Sequence, residues 1–321
     1  MNEPATILIT GAAGFIGFNT AQKLLQRGDR IIGIDNLNDY YDVNLKLSRL
    51  SILKKFPNFV FHKIDISDKS ALDAAVENEK IDKILNLAAQ AGVRYSLINP
   101  YSYEKTNLNG FLNVIELARH RKISNFVFAS SSSVYGKNKK LPYSEEDRVD
   151  NPISMYAATK KADELIAHAY AHLFSLPSTG LRFFTVYGPW GRPDMALFKF
   201  TDAIVKNKPI DIYNYGKMKR DFTYIDDIVR GTIAALDNAF DYEIINLGNN
   251  KPVDLLYFVE CIEKSLGMKA KRNLAPLQPG DVVSTYADIS KAQRLLGFQP
   301  KMSIEKGIDN FIAWYKEYYK I

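Results

Sequence analysis

The chain has 321 residues, of which 46% are hydrophobic and 24% charged, and this balance excludes a largely disordered protein. The net charge of +6 permits an anionic ligand, but no long block of lysine or arginine indicates nucleic-acid binding. The single cysteine excludes an intramolecular disulfide, and no secretory signal or membrane-spanning apolar run is present, so we expect a cytoplasmic protein that does not bind membranes.

Short β-prone runs alternate with amphipathic segments through the first half of the chain. Hydrophobic periodicity predicts strands at residues 6–10, 30–34, 59–62, 83–87, 126–129 and 178–184. It predicts helices at residues 15–27, 69–79, 103–121 and 155–174. Repeated alternation of this kind indicates a Rossmann-type, doubly wound parallel sheet with helices on both faces.

The pattern changes after about residue 186, where glycine and proline become frequent and the predicted elements become shorter and mixed. We predict a main domain of residues 1–186 and a smaller mixed α/β lobe of residues 187–321. Segments near 224–248 could return to the main sheet, so the boundary stays vague.

The first predicted strand leads directly into Gly11-x-x-Gly14-x-x-Gly17. Such glycines permit a tight turn and close approach to a pyrophosphate, whose charge suits the N-terminus of the following helix. The generic dinucleotide fingerprint is G-x-G-x-x-G, so the match is loose. Asp35 strengthens it, because a carboxylate at the end of the second strand can bind a ribose 2′-hydroxyl. That carboxylate would repel a 2′-phosphate, and Asn36 rather than arginine follows it, so we predict NAD as the cofactor.

Two further strand ends could contact the cofactor. Asp65 and Ile66 follow the third strand and could meet the adenine, although Asp65 serves nearly as well as a simple turn former. The fourth strand ends in small residues that would let the backbone approach the cofactor. These residues are Leu87, Ala88, Ala89 and Gln90. Close packing of a helix against the strand explains the alanines equally well.

Tyr156 and Lys160 are four residues apart and therefore lie on one face of the predicted helix. A phenol with a pKa of about 10 is a poor base at neutral pH. A cation about 4 Å away favours the phenolate by roughly 4 kcal/mol at an effective dielectric constant of about 20. Tyr156 could thus remove a proton from a sugar hydroxyl while hydride passes to NAD. The pattern is common by chance, and its position after five strands of a nucleotide-binding fold gives it weight.

Together the glycine turn, the serine run ASSSSVYG at residues 129–136, Asn107-Leu-Asn-Gly and Tyr156-x-x-x-Lys160 resemble the extended short-chain dehydrogenase/reductase family over essentially the whole chain. Longer strings closely resemble the bacterial UDP-glucuronate 4-epimerases of that family. These strings are DNLNDYYDVNLK, AAQAGVRYS, RFFTVYGPWGRPDMALFKF, RDFTYIDDI and LQPGD.

The resemblance implies a role for individual residues. Tyr156 would be the catalytic base, Lys160 its cation and a ligand of the nicotinamide ribose, and Ser131 an assisting hydroxyl. The implied cofactor contacts are Gly11, Gly14, Phe15, Ile16, Gly17, Asp35, Asn36, Asp65, Ile66, Leu87, Ala88, Ala89, Gln90, Asn107, Tyr156, Lys160 and Phe184. The implied substrate contacts are Arg94, Ser131, Ser132, Ser133, Thr185, Arg192, Arg220 and Asp281.

Two of these assignments carry more detail. Arg192 and Arg220 match positions that meet the anionic nucleotide portion of the substrate, and Asp281 matches a ribose-binding position. Family members often carry arginine where this chain has Gln278, which weakens the assignment of that part of the nucleotide site.

The serine run separates the branches of the family. The decarboxylases resemble S-T-S-E-V-Y-G and the dehydratases S-T-D-E-V-Y-G, whereas this chain has Ser132 and Ser133 in place of the acidic residues. Oxidation of glucuronate at C4 creates a β-keto acid that loses CO₂ readily, and neutral hydroxyls can hold its carboxylate without charge repulsion. We hypothesise that Thr185 and the serines select the C6 carboxylate, since hexose 4-epimerases carry asparagine at the position of Thr185.

The implied reaction is therefore NAD-dependent 4-epimerisation of UDP-glucuronate to UDP-galacturonate, through transient C4 oxidation, rotation of the 4-keto intermediate and hydride return. A UDP-hexose 4-epimerase, a UDP-glucuronate decarboxylase and a non-catalytic NAD-binding scaffold remain alternatives. His168 and His172 have a spacing compatible with metal, but without further ligands nearby we predict no metal site. The resemblance also implies a homodimer, formed through the predicted helices 103–121 and 155–174.

Overall fold

A central parallel sheet organises the fold. The computed structural model describes residues 4–277 and 282–321, and within them seven strands form this sheet in the order β10-β6-β5-β4-β1-β2-β3. In chain order the strands are β1 (Thr6–Thr10), β2 (Arg30–Asp35), β3 (Phe59–Lys63), β4 (Lys83–Asn86), β5 (Asn125–Ser131), β6 (Ser178–Phe183), β7 (Thr185–Tyr187), β8 (Pro209–Ile212), β9 (Lys219–Tyr224), β10 (Tyr242–Leu247), β11 (Pro252–Asp254) and β12 (Lys271–Leu274). The predicted Rossmann-type fold is confirmed.

Helices cover both faces of this sheet. In chain order they are α1 (Phe15–Arg27), α2 (Val43–Leu53), α3 (Lys69–Ala75), α4 (Tyr95–Ile98), α5 (Pro100–Tyr103), α6 (Phe111–Arg121), α7 (Met155–Phe174), α8 (Ala196–Val205), α9 (Ile225–Asp237), α10 (Leu255–Leu266), α11 (Ser290–Leu296) and α12 (Ile304–Tyr319). Helix α1 packs against α9 on one face, and α6 packs against α7 on the other.

Alternation along the strands divides the core between these two faces. Ile7 and Ile9 of β1 belong to the apolar cluster on the side of α1, while Leu8 belongs to the cluster on the side of α6. Successive side chains of a strand point to opposite faces, so a strand covered on both sides is apolar throughout. The order of the strands reverses between β1 and β4, and in open α/β sheets this crevice at the carboxyl ends is where ligands bind.

Two small sheets follow residue 184. Strands β7, β9 and β11 form one of them, and β8 pairs with β12 in the other. Strand β10 instead pairs with β6 at the edge of the main sheet. The division of the chain at residue 186 stays a prediction. The expectation of short elements in the second half is wrong for α12, which has 16 residues.

Three differences from the predicted elements have local causes. Helix α2 was not predicted, because its buried face includes the charged residues Lys46 and Arg49, which interrupt the apolar periodicity of a helix. The predicted helix 103–121 is interrupted, since residues Glu104–Gly110 are π-helical before α6 begins. Helix α3 ends at Ala75, four residues before its predicted end. In the described part of the chain, no helix has the length and apolar character needed to span a membrane.

Candidate active site

A cavity of about 430 Å³ lies at the carboxyl ends of the central strands. Most of the predicted site residues line it. They are Gly11, Gly14, Phe15, Ile16, Gly17, Asp35, Asn36, Asp65, Ile66, Leu87, Ala88, Ala89, Gln90, Ser131, Ser132, Ser133, Tyr156, Lys160, Phe184, Thr185, Arg192 and Arg220. Residues from distant parts of the sequence therefore converge on one site, as expected for a switch-point crevice.

The glycine turn leaves no room for side chains. Gly11 has a φ of +69°, and a Cβ there would lie 2.9 Å from the backbone nitrogen of Ala88. A Cβ on Gly17 would lie only 2.1 Å from the carbonyl oxygen of Gly11. The amide of Gly14 donates to that same oxygen at 2.9 Å, which closes the turn just before α1 begins. The helix N-terminus is thus open to an anion such as a pyrophosphate.

Asp35 is held by the backbone at the end of β2. One carboxylate oxygen accepts from the amide of Ala13 at 3.1 Å and the other from the amide of Leu37 at 2.9 Å. Burial raises the pKa of Asp35, against the opposing effects of the Leu37 amide and Lys46. Each oxygen retains a further acceptor site, so the carboxylate can accept two hydroxyl donors from a ribose.

Lys46 is a cavity residue that the sequence did not reveal. Its Nζ donates to the carbonyl oxygen and the side-chain oxygen of Asn38, at 2.7 and 2.8 Å. Burial lowers the pKa of Lys46, and the nearby Asp35 carboxylate opposes this shift. The ammonium therefore fixes the loop after β2 beside Asp35.

Asp65 both forms a turn and lines the cavity. One of its oxygens accepts from the amide and the hydroxyl of Ser67, at 3.0 and 2.7 Å. The other accepts from the side chain of Asn36 at 3.3 Å. Burial acts to raise the pKa of Asp65, but the hydrogen bonds from Ser67 and Asn36 hold it below its usual value.

Tyr156 and Lys160 face the cavity from the first turns of α7. Ser154 caps this helix by accepting from the amide of Ala157 at 3.1 Å. Lys160 donates from Nζ to the buried carboxylate of Asp163 at 3.0 Å. Burial raises the pKa of Asp163 to about 7, although Lys160 opposes the shift. Lys160 is thus held by a carboxylate whose charge changes near neutral pH.

The serine run connects the core with the cavity. Ser130 lines the cavity but is almost fully buried, and its hydroxyl donates to the buried Glu164 at 2.6 Å. The hydroxyl of Ser131 accepts from the hydroxyl and the amide of Ser133, at 2.9 and 3.2 Å. Ser131, Ser132 and Ser133 line the cavity, as does Thr185 at the start of β7. This wall offers a carboxylate neutral hydroxyl donors.

The arginines differ in their surroundings. Arg192 is paired with Asp194, whose carboxylate also accepts from the hydroxyl of Tyr40 at 3.3 Å. Burial opposes ionisation of Arg192, but Asp194 raises its pKa. Arg220 donates to the carbonyl oxygens of Lys219 and Val283, at 2.9 and 3.2 Å.

Two predicted site residues do not line the cavity, and one, Asp281, lies outside the described residues. Asn107 is buried behind the wall, where it accepts from the amide of Gln90 at 2.8 Å and donates to Thr159 at 3.0 Å. Arg94 stacks on the ring of Tyr213, with 4.4 Å between the guanidinium carbon and the ring centre. Gln278 and Asp281 lie outside the described residues.

Known proteins resemble this chain along almost its full length. The sequence profile described as "NAD dependent epimerase/dehydratase family" matches residues 7–248. An uncharacterised protein of Methanocaldococcus jannaschii is 55% identical over 97% of this chain and 96% of that protein. A probable UDP-glucuronate 4-epimerase of Rhizobium meliloti is 47% identical over 98% of this chain and 97% of that protein. The crystal structure of the UDP-glucuronic acid 4-epimerase from Bacillus cereus with UDP-glucuronic acid and NAD has a TM-score of 0.91 and 36% identity, covering 98% of this chain and 100% of that one.

Proposed function

The chain belongs to the NAD-dependent epimerase/dehydratase family, and we propose that it interconverts UDP-glucuronate and UDP-galacturonate by 4-epimerisation. The observation that carries the proposal is the set of neutral hydroxyls that lines the same cavity as Tyr156, supplied by Ser131, Ser132, Ser133 and Thr185. The relatives named UDP-glucuronate 4-epimerase support it, since they match this chain over nearly its whole length.

The fit of the cofactor supports the proposal further. The glycine turn would hold the pyrophosphate, Asp35 the adenosine ribose, and Lys160 the nicotinamide ribose. NAD held by these residues would supply a reversible hydride acceptor for sugar C4. Asp35 also repels the 2′-phosphate of NADP, which agrees with the preference predicted from the sequence.

Proton transfer falls to the residues around Tyr156. The phenolate form takes the proton of the C4 hydroxyl, and the ammonium of Lys160 stabilises that form electrostatically. The hydroxyl of Ser131, on the same cavity wall, orients the reacting oxygen. On return, Tyr156 gives the proton back to the new C4 oxygen.

The hydroxyl wall has a second task in this reaction. The oxidised sugar is a β-keto acid, and it loses CO₂ when its C5–carboxylate bond lies parallel to the carbonyl π orbitals. Ser132 and Thr185 hold the carboxylate out of that alignment by donating hydrogen bonds to it, while the Ser133 hydroxyl donates to Ser131 and leaves the Ser131 hydrogen available to the substrate. The decarboxylases resemble a pattern with glutamate at the position of Ser133, and that glutamate would repel the carboxylate. The neutral Ser133 of this chain therefore argues against the decarboxylase alternative.

One experiment separates the alternatives. The purified protein is incubated with UDP-glucuronate without added NAD, and products are followed by NMR together with CO₂ release. UDP-galacturonate as the sole product supports the proposal. UDP-xylose or a keto-pentose indicates a decarboxylase, and no turnover even with added NAD indicates a binding scaffold.

Thr185→Asn tests the selection of the carboxylate. We expect it to raise the ratio of kcat/KM for UDP-glucose to that for UDP-glucuronate by about tenfold, because one hydrogen bond to a charged group is lost. Steady-state kinetics with both substrates measures the ratio. Thr106→Asn is the control and should leave the ratio unchanged. Thr106 also lines the cavity, but it adjoins Asn107 and is not one of the hydroxyls assigned to the carboxylate. An unchanged ratio in Thr185→Asn would contradict the selection.

We also propose a homodimer formed through the helices around α6 and α7. Leu165 and Leu173 of α7 are 59% and 67% exposed, and Leu112 of α6 is also exposed, so each of the two helices presents large apolar side chains that an interface would cover. Leu165→Glu should therefore halve the mass measured by light scattering, while Leu274→Glu, at a 54% exposed position on β12, should leave it unchanged. Equal masses for both variants would contradict this interface. The cytoplasmic location stays a prediction.

A further inference from the structure

Both ends of the serine run are attached to one buried ion pair. Arg182 of β6 donates to the two carboxylate oxygens of Glu164, at 2.8 and 2.9 Å. Near the start of the run, Ser130 donates to Glu164 at 2.6 Å. Near its end, Tyr135 accepts from Arg182 at 3.1 Å. Hydrogen bonds to the Glu164–Arg182 pair therefore fix the chain on both sides of residues Ser131 to Val134. We call Ser130 and Tyr135 the two anchors of the run.

The pair and its anchors are tightly held. Glu164 and Arg182 are 1% and 3% exposed, and their two-point geometry fixes the guanidinium plane. The ring of Tyr135 lies under Arg182, with 4.9 Å between guanidinium carbon and ring centre. Its hydroxyl donates to Asn246 of β10 at 2.7 Å, and its ring stacks on Tyr143 at 4.5 Å. Strands β5, β6 and β10 and helix α7 therefore meet at this cluster.

This arrangement determines where the cavity hydroxyls lie. Successive residues of β5 point to opposite sides, so the Ser130 side chain held by Glu164 leaves the Ser131 side chain on the other side of the strand, where it meets Ser133. Ser131 then binds Ser133 within the short helical turn Ser132–Tyr135, which Tyr135 ends. Glu164 also lies on α7, two turns after Tyr156, so the same cluster connects the hydroxyl wall to the helix that carries the base.

We propose that Glu164, Arg182 and Tyr135 are positioning residues that hold the serine hydroxyls where they keep the carboxylate of the oxidised substrate from leaving. The inference rests on the proposed function and deepens it. None of the three residues needs to touch the substrate. They act by fixing the backbone of the serine run, and loosening them lets the carboxylate rotate into alignment with the carbonyl.

The side reaction that this cluster suppresses is decarboxylation of the 4-keto intermediate. The bond between C5 and the carboxylate carbon breaks, CO₂ departs, and the electron pair passes into the C4 carbonyl to form an enolate. C5 then takes up a proton, and the two electrons removed from C4 stay on the reduced cofactor. The products are a UDP-4-keto-pentose, CO₂ and one reduced cofactor for each UDP-glucuronate consumed.

Two variants test the proposal by product partition. Glu164→Gln weakens the pair with Arg182, and Tyr135→Phe removes only the hydroxyl that joins the turn to Arg182 and Asn246. For each we expect the ratio of CO₂ plus keto-pentose to UDP-galacturonate to rise about fivefold, the change expected from one lost hydrogen bond. Isotope-labelled substrate and NMR measure both products. The ratio does not depend on how much of the variant is folded.

Glu263→Gln is the matched control. Glu263 of α10 is also buried and pairs with Arg272 at 3.0 Å and Lys269 at 2.9 Å, but it does not line the cavity. Its variant should leave the product ratio at the wild-type value. An unchanged ratio in both test variants overturns the inference, and so does an equal rise in Glu263→Gln. If the wild-type protein forms no UDP-galacturonate, the proposed function fails and the inference falls with it, a result distinct from an unchanged ratio.

Discussion

Tyr156→Phe should lower kcat for epimerisation by about 10²- to 10⁴-fold in both directions, because the base that exchanges a proton with the C4 oxygen is removed. The phenylalanine ring keeps the edge contact with Tyr103, whose centre lies 6.1 Å away, so the fold should be unaffected. KM for UDP-glucuronate should change little. Formation of UDP-galacturonate followed by NMR measures the rate.

Tyr103→Phe is the control for this prediction. Tyr103 is a buried neighbour, and its hydroxyl donates to the carbonyl oxygens of Ala91 and Gly92 rather than to the cavity. We expect its kcat to stay within about tenfold of the wild-type value. If Tyr156→Phe retained more than a tenth of the wild-type kcat, another group would have to be the base.

The environment of Lys160 changes the simple electrostatic picture drawn from the sequence. The electrostatic energy calculated from the sequence treats Lys160 as an isolated cation with a full positive charge. In the structure, the carboxylate of Asp163 lies 3.0 Å from its Nζ in the interior. Above the pKa of Asp163, about 7, that carboxylate offsets part of the lysine charge. The support that Lys160 gives to the phenolate is therefore largest when Asp163 is protonated.

The parts of the site that follow from local sequence were predictable. The glycine turn, Asp35 and the Tyr156–Lys160 pair each depend on spacing within one element or at one strand end, and such spacing is visible in a single sequence. The parallel sheet followed from the alternation of strands and helices for the same reason.

Contacts between distant elements could not be predicted. Glu164 and Arg182 carry no local pattern that pairs them, and Lys46 and Arg49 made α2 look unlike a helix. Asp163 had a weak signal, since it lies three residues after Lys160 on the same helix face. Asn107 was assigned to the cofactor from its motif, but its partners Gln90 and Thr159 become neighbours only in the folded chain.

Arg49 is an interior residue whose replacement should cost much stability. Its side chain is fully buried, and it donates to the carbonyl oxygens of Ala13 in the glycine turn at 2.8 Å and of Trp190 at 2.6 Å. A further bond reaches the hydroxyl of Tyr41 at 2.8 Å. Arg49 therefore joins α2 and the glycine turn to the segment after β7.

Arg49→Met should lower the free energy of unfolding by about 3–5 kcal/mol, because several buried acceptors lose their donor and each costs about 1–3 kcal/mol. Urea denaturation measures the loss. The affinity for NAD should also fall. Arg49 holds the carbonyl oxygen of Ala13, and the amide of the same residue donates to Asp35, the proposed ligand of the adenosine ribose.

Arg119→Met provides the comparison for an arginine near the surface. Arg119 is partly exposed and pairs with Glu116 at 2.9 Å, an arrangement that contributes about 0–1 kcal/mol. Arg49→Lys keeps the charge with fewer donors, so its stability should fall between the wild type and Arg49→Met. If Arg49→Met were no less stable than Arg119→Met, the prediction would be wrong. The buried acceptors would then have other donors, and the glycine turn would not depend on α2.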